Sequence, residues 1–174
     1  PTAGNKEDYT AYIDEAQQTF KDLGFEIEVL DIASCDRETA QAKIFQSKIL
    51  YISGGNTFYL LQELKKKQLL SLIKEQIRDG LIYVGESAGA IITAKDVDYN
   101  KLMDDKTVAK ELSDTTGLNE VEFYILPHYG EEPFTDSSKK TFETYKNQLD
   151  LMRMNNSQAV IVNDKEIKVV SEQD

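Results

Sequence analysis

Cysteine and histidine each occur only once in this sequence of 174 residues, as Cys35 and His128. A single cysteine can form neither an internal disulfide bond nor a cysteine-based metal site, and it is typical of a reducing cytosol. A metal centre would therefore depend on carboxylates, of which the adjacent Asp104 and Asp105 are the best pair. Metal catalysis is disfavoured on these grounds, and we expect no cofactor.

Positive charge and long hydrophobic runs are also scarce. The chain has 20 Lys and Arg residues against 31 Asp and Glu residues, for a net charge of -11. Nucleic acids and anionic membranes bind positively charged surfaces, so we expect neither as a partner. No apolar segment approaches the roughly 18 residues that a membrane-spanning helix needs, and residues 1–8 contain no signal-peptide core. These features predict a cytoplasmic protein, with monomer and homodimer both left open.

Strand-like and helix-like segments alternate along the chain, which predicts an α/β fold with a mostly parallel sheet and helices on both faces. Periodicity predicts helices over residues 6–23, 36–45, 58–66, 69–78 and 138–152. Strands are predicted over residues 25–32, 48–53, 80–84 and 121–126, followed by a hairpin of residues 159–162 and 167–170. Residues 1–174 are expected to form one domain. Because its first element is a helix, we also expect the N-terminal strand of this domain to be missing.

The segment Gly85-Glu86-Ser87-Ala88-Gly89 fits the pattern Gly-x-Ser-x-Gly at a predicted strand-to-helix turn. In such an elbow the small flanking residues allow a tight turn that exposes the serine hydroxyl. The five-residue pattern alone occurs by chance in many proteins. The apolar strand before it and the small apolar residues after it favour the functional interpretation, which makes Ser87 a candidate nucleophile.

Two further loops follow predicted strands and should lie at the same edge of the sheet as the elbow. One contains His128, the single imidazole that could remove the proton of Ser87. The other begins with Gly54-Gly55, where the backbone can approach a ligand closely. The amide N–H groups of Ala88 and Gly55 are candidate oxyanion donors. Without a Gly-x-Gly-x-x-Gly motif or a phosphate-loop lysine, nucleotide binding is not expected.

A catalytic triad also requires a carboxylate that orients the imidazole. Several acidic residues lie between the serine and the histidine, and their pattern does not select one. The candidates are Asp96, Asp98, Asp104, Asp105, Glu111 and Asp114.

Three motifs stand out along the chain, namely Ser53-Gly54-Gly55-Asn56-Thr57-Phe58, Gly85-Glu86-Ser87-Ala88-Gly89-Ala90 and Leu126-Pro127-His128. In their order and spacing they resemble the peptidase E family of serine peptidases, which includes aspartyl dipeptidase and the cyanophycinases. The resemblance extends over nearly the whole chain. It implies a flavodoxin-like fold similar to that of class I glutamine amidotransferases, with serine in place of their elbow cysteine.

The resemblance also implies a role for individual residues. Ser87 would be the nucleophile and His128 the base, with Asp104 as the acid and Asp105 as its runner-up. Gly55 and Ala88 would donate their amides to the oxyanion. Asn56 and Thr57 are predicted to bind the substrate.

The implied function is a serine-type, dipeptidase-like hydrolysis of short peptides through an acyl-enzyme. Dipeptidases that prefer aspartate use an arginine downstream of the histidine, whereas this chain has Lys139 and Lys140 and no arginine before Arg153. A preference for aspartyl peptides is therefore not implied. The alternative is a non-catalytic protein of the same fold that binds a small molecule or a partner at Ser87. Glutamine amidohydrolysis is disfavoured because Cys35 lies outside the elbow.

Overall fold

A computed structural model describes residues 1–172 of the chain. Its α-helices are α1 (Ala11–Asp22), α2 (Arg37–Gln46), α3 (Thr57–Lys66), α4 (Leu70–Arg78), α5 (Ala88–Ile91) and α6 (Thr135–Tyr145). Its strands are β1 (Ile49–Ile52), β2 (Ile82–Gly85), β3 (Tyr124–Leu126), β4 (Leu151–Arg153), β5 (Gln158–Asn163) and β6 (Glu166–Ser171). Short 3-10 helices occur at Thr2–Lys6, Asp98–Leu102 and Lys106–Val108. The expected α/β class is confirmed.

The strands form pairs whose ends are aligned. β1 pairs in parallel with β2 and the last partners are Ile52 and Gly85, while β3 pairs in parallel with β4 and ends with Leu126 opposite Arg153. The predicted closing hairpin is confirmed as the antiparallel pair of β5 and β6. Because the partners of each parallel pair end together, the loops after β1 and β2 emerge side by side, as do those after β3 and β4.

Helix α3 places most of its apolar side chains in the core, where Phe58, Leu61 and Leu64 are fully buried. Its start is fixed by Asn56, whose side-chain oxygen accepts a hydrogen bond of 3.0 Å from the amide of Tyr59. An oxygen acceptor at this position satisfies one of the amides that a helix start leaves unpaired. The helix is thereby anchored directly behind the loop that follows β1.

The strand predicted over residues 25–32 does not form. A strand needs a hydrogen-bonded neighbour, and in the described residues β1 pairs with β2 alone. The segment has no regular secondary structure and lies largely at the surface, where Phe25 and Val29 are 44% and 51% exposed. Its alternation of apolar and acidic residues is a real strand signal, but that signal is insufficient without a partner.

The helix predicted over residues 138–152 was wrong at its C-terminal end. The helix α6 ends at Tyr145, and the last residues of the predicted segment form β4 instead. A three-residue strand is too short to be distinguished from a helix by periodicity. This error hides a fourth loop at the edge where β3 ends.

None of the helices described in this structure is both long enough and apolar enough to cross a membrane.

Candidate active site

The turn between β2 and α5 is tightly packed around Ser87. Ser87 has a φ of 46°, a left-handed conformation that is uncommon for residues other than glycine. A β-carbon at Gly89 would lie 2.2 Å from the carbonyl oxygen of Ile52, and one at Gly85 would lie 2.5 Å from the carbonyl oxygen of Gly89. Both glycines are therefore required for this tight strand-to-helix turn, and the role of Ser87 as a nucleophile there stays a prediction.

The structure brings His128, in the loop after β3, to Ser87, in the turn after β2, although these strands belong to separate parallel pairs. The His128 Nε2 atom lies 3.0 Å from Ser87 Oγ, which is hydrogen-bonding distance. The imidazole also stacks on Phe134, with ring centroids 4.9 Å apart and an interplanar angle of 22°. Both His128 and Ser87 are half-buried. This arrangement allows proton transfer between the hydroxyl and the imidazole.

The other imidazole nitrogen contacts an asparagine. The Nδ1 atom of His128 lies 2.7 Å from Oδ1 of Asn156, an exposed residue just beyond β4. Because an amide oxygen can only accept, Nδ1 carries the proton in this contact and Nε2 is left to accept from Ser87. Asn156 thus holds the tautomer in which His128 can act as a base.

The structure corrects the prediction that an aspartate contacts the imidazole. Both ring nitrogens of His128 are engaged with Ser87 and Asn156. Asp104 instead accepts a hydrogen bond of 2.7 Å from the amide of Thr57, and Asp105 caps the short helix at Lys106–Val108. Both carboxylates lie in the polar segment between α5 and β3 (residues 95–119). Asp104 is bound to the start of α3, and Asp105 is bound to its own segment.

Asp104 nevertheless lies within electrostatic range of His128. Burial raises the pKa of the Asp104 carboxyl above its ordinary value, while the hydrogen bonds from Thr57 and the charge of His128 act in the opposite direction. Asp104 is therefore near enough to interact with His128 electrostatically without a direct hydrogen bond.

Asn156 was missed because β4 was assigned to a helix. The turn residues Asn155-Asn156-Ser157, which follow the apolar pair Leu151-Met152, are the signal that could have revealed a loop at this point of the chain. Once β4 is paired beside β3, the loop that follows it reaches His128.

The two predicted oxyanion donors have free amides. Among the described residues, the amide N–H groups of Gly55 and Ala88 donate to no protein acceptor. Gly55 has a φ of 123°, and a β-carbon there would lie 2.3 Å from the carbonyl carbon of Ala3. A β-carbon at the preceding Gly54 would lie 3.3 Å from Cβ of Ser87, so this loop borders the elbow directly.

Asn56 and Thr57 are engaged in hydrogen bonds within the protein, and their role in substrate binding stays a prediction. Both are buried, and the Nδ2 atom of Asn56 donates to the carbonyl oxygen of Asp105 at 3.0 Å. The hydroxyl of Thr57 accepts from Asn100 at 3.1 Å. Their hydrogen bonds hold the polar segment against the start of α3.

Acidic side chains surround Tyr12, whose ring borders the loop next to Ser87, a feature that the sequence motifs did not reveal. Burial and the nearby carboxylates of Glu7, Glu86 and Asp104 raise the pKa of Tyr12 to about 12. One Tyr12 ring carbon lies 3.6 Å from the position that a β-carbon at Gly54 would occupy. Within residues 1–172 no group of three or more His, Cys, Asp or Glu side chains is arranged to hold a metal ion.

Comparisons with known proteins agree with the resemblance seen in the motifs. The model of peptidase family S51 matches residues 1–170. An uncharacterized peptidase of Pasteurella multocida (strain Pm70) is 41% identical over 170 residues, which cover 98% of this chain and 82% of the relative. Peptidase E of a Nostoc species is 30% identical over 129 residues, or 74% of this chain and 50% of that protein.

Solved structures show the same similarity. The crystal structure of a candidate peptidase E from Listeria monocytogenes EGD-e superimposes with a TM-score of 0.93 at 35% identity, covering 98% of this chain and 83% of that one. A peptidase from an acI-B1 actinobacterium gives a TM-score of 0.71 at 23% identity over 99% of this chain and 72% of that one, which shows the fold alone.

Proposed function

The chain belongs to peptidase family S51 and is a hydrolase of peptide bonds, and from this premise we propose that it cleaves short peptides as a dipeptidase-like serine peptidase. The observation that carries the proposal is the 3.0 Å contact between Ser87 Oγ and His128 Nε2 at a strained strand-to-helix turn. Serine needs such a base because its hydroxyl is a weak nucleophile at neutral pH.

In the first half of the reaction, Ser87 Oγ attacks the scissile carbonyl carbon while its proton passes to His128 Nε2. The negative charge that develops on the carbonyl oxygen is stabilised by the free amides of Gly55 and Ala88. The bond between carbon and nitrogen then breaks as His128 returns the proton to the leaving amine. An acyl-enzyme on Ser87 remains.

In the second half, water attacks the ester carbonyl and gives a proton to Nε2. The bond between the acyl carbon and Ser87 Oγ breaks, and the imidazole protonates Ser87 as the product carboxylic acid leaves. The same two amides serve both tetrahedral intermediates. His128 acts first as a base and then as an acid in each half of the reaction. Its Nε2 atom accepts and returns the proton while Nδ1 stays bound to Asn156.

We assign the orientation of His128 to Asn156, which fixes the tautomer, and the stabilisation of its charge to Asp104. An asparagine in this position is also found in papain-like proteases, where it orients the catalytic histidine. The two tasks that one aspartate performs in a Ser-His-Asp triad are thus divided between a neutral amide and a carboxylate at a distance. The choice of short peptides as substrates rests on the resemblance of the motifs to a family that includes dipeptidases, and the proposed cytoplasmic location rests on composition.

A fluorophosphonate probe tests the nucleophile, because it reacts with activated serines. We expect labelling of the wild type at Ser87, loss of labelling in Ser87→Ala, and retained labelling in Ser34→Ala, which removes an exposed serine far along the chain. Hydrolysis of a dipeptide panel should fall in Ser87→Ala by about 10⁴-fold or more, as in other serine peptidases. A folded wild type that resists the probe would overturn the proposed chemistry and favour the non-catalytic binding protein.

A further inference from the structure

We propose that Glu86 is a positioning residue that ties the Gly54-Gly55 loop to the nucleophile elbow, so that the free amide of Gly55 faces the reacting carbonyl. This inference rests on the proposed function, in which that amide stabilises the oxyanion. The residue stands directly before the nucleophile, at a position that the Gly-x-Ser-x-Gly pattern leaves unspecified.

The carboxylate of Glu86 joins two chain segments. Its Oε2 atom accepts a 3.3 Å hydrogen bond from the amide of Gly54 and a second, shorter one from the hydroxyl of Tyr51. Its own backbone is fixed in the elbow, since its amide donates to Ile52 at 3.0 Å and its carbonyl accepts from Gly89 at 2.8 Å. The side chain therefore extends from a rigid turn to the neighbouring loop.

The far side of the loop has separate attachments. The amide of Asn56 donates to the carbonyl oxygen of Ala3 at 3.0 Å, and the next amide, of Thr57, donates to Asp104. These contacts hold the loop to the N-terminal segment and to the polar segment, neither of which carries the nucleophile. Glu86 supplies the hydrogen bond that joins the loop to the elbow. Gly55 lies between the two sets of attachments with its amide unused.

The hydroxyl of Tyr51 keeps the carboxylate in place. Tyr51 lies in β1 and its ring packs edge-on against Phe20, with centroids 5.0 Å apart. Burial and the adjacent Glu86 raise the pKa of Tyr51, so the hydroxyl remains a donor throughout the physiological range. Hydrogen bonds to a charged acceptor are stronger than neutral ones. Glu86 is thus fixed by the hydroxyl of Tyr51 and by its own backbone hydrogen bonds, while its carboxylate binds the amide of Gly54.

The consequence for catalysis is specific. An oxyanion donor must lie within a few tenths of an ångström of its position in the transition state, and losing one such donor lowers kcat by about 10²- to 10³-fold. Ground-state binding depends much less on this amide, because the charge that it stabilises develops only during the reaction. Releasing the loop should therefore lower kcat and leave KM nearly unchanged.

The test compares Glu86→Ala, Glu86→Gln and Tyr51→Phe with the wild type. We expect Glu86→Ala to lower kcat by about 10²-fold with KM within about threefold, since the loop loses its attachment to the elbow. Glu86→Gln keeps an oxygen acceptor for Gly54 and should retain kcat within about fivefold. Tyr51→Phe, which leaves the bond from Gly54 intact, should fall between them. An unchanged kcat in Glu86→Ala, or a Glu86→Gln variant as impaired as Glu86→Ala, would overturn the inference.

Hydrogen–deuterium exchange gives a readout that does not require turnover. Peptides covering residues 53–57 should exchange faster in Glu86→Ala and at the wild-type rate in Glu86→Gln, while peptides from α4 serve as the internal control. Equal exchange in all variants would refute the attachment even if the enzyme proved inactive. If the wild type neither hydrolyses peptides nor reacts with the fluorophosphonate probe, the proposed function fails, and the exchange data still decide whether Glu86 holds the loop.

Discussion

The two halves of the candidate site are built in different ways. The nucleophile half is held by backbone packing, in which Gly85 and Gly89 bring chain segments too close for any side chain. The histidine half is held by side-chain contacts at the surface, where His128 stacks on Phe134 and bonds to the exposed Asn156. In the proposed mechanism the nucleophile is therefore positioned by backbone packing, whereas the imidazole depends on side-chain contacts and on the positive φ of His128, which is 55°.

The physical basis of this difference is the size of the energies involved. A backbone clash at van der Waals overlap cannot be relieved without moving a strand, so it destabilises the whole domain. A single hydrogen bond contributes about 0.5–1.5 kcal/mol net, and less when water can replace it. Substitutions in the first half should therefore affect folding, whereas those in the second should change the rate by graded amounts.

The largest expected effect separates two glycine substitutions. We expect Gly89→Ala to lower the free energy of unfolding by about 3–5 kcal/mol, because its β-carbon would lie 2.2 Å from the oxygen of Ile52. Gly130, in the histidine half, has a φ of 80° and no atom within 4 Å of its would-be β-carbon, so Gly130→Ala should cost only about 1–2 kcal/mol of backbone strain. Urea denaturation of both variants measures the contrast, and similar losses would contradict it.

An intermediate effect is expected at Asn156. Asn156→Ala should lower kcat by about tenfold, because an exposed hydrogen bond of about 1 kcal/mol is lost and the imidazole is less well oriented. The free energy of unfolding should fall by no more than about 1 kcal/mol. Asn155→Ala is the matched control, since that neighbour contacts Ser157 and not His128.

The size of the decrease in kcat in Asn156→Ala distinguishes an asparagine that can be partly replaced from one that is as essential as a triad aspartate. Loss of a buried triad aspartate lowers kcat by about 10⁴-fold. A decrease of that size in Asn156→Ala would show that the histidine half is as strictly built as the elbow, and no decrease at all would remove Asn156 from the mechanism.

The smallest expected effect is the pH dependence of stability contributed by Asp104. Its pKa in the folded protein is raised above the ordinary 3.8, so the folded state favours the protonated carboxyl. The resulting stabilisation is fully present below the pKa of the unfolded chain and is lost as the pH rises through the folded pKa. Asp104→Asn keeps an acceptor for Thr57 but removes this titration.

Thermal unfolding at pH 4 and pH 7 measures this difference. The Tm of Asp104→Asn minus that of the wild type should be more positive at pH 7 than at pH 4, because at pH 7 the wild type carries a buried charge that the variant lacks. Asp14→Asn, at an exposed position of α1, is the control. A relative Tm that moves in the opposite direction would show that the carboxylate is stabilised in its charged form.

Much of the nucleophile half could be predicted because its signals are local. Glycines at fixed spacing, an apolar run and a helix start all lie within ten residues of Ser87, and each has a mechanical reason in the turn. The single histidine removed any choice of base. The third residue of the proposed machinery could not be found in this way, since the three residues of β4 are too short to show a period.

The sequence by itself determined the α/β class, the elbow at Ser87 and the three loops that carry Gly55, Ser87 and His128, because these depend on short-range patterns of glycine and apolar residues. Only the tertiary structure decided that Asn156 meets the imidazole and that Asp104 turns to the amide of Thr57. Such choices depend on which segments pair and on which polar groups must be satisfied when they are buried together. They arise from contacts between residues far apart in the chain, where sequence order carries no direct information.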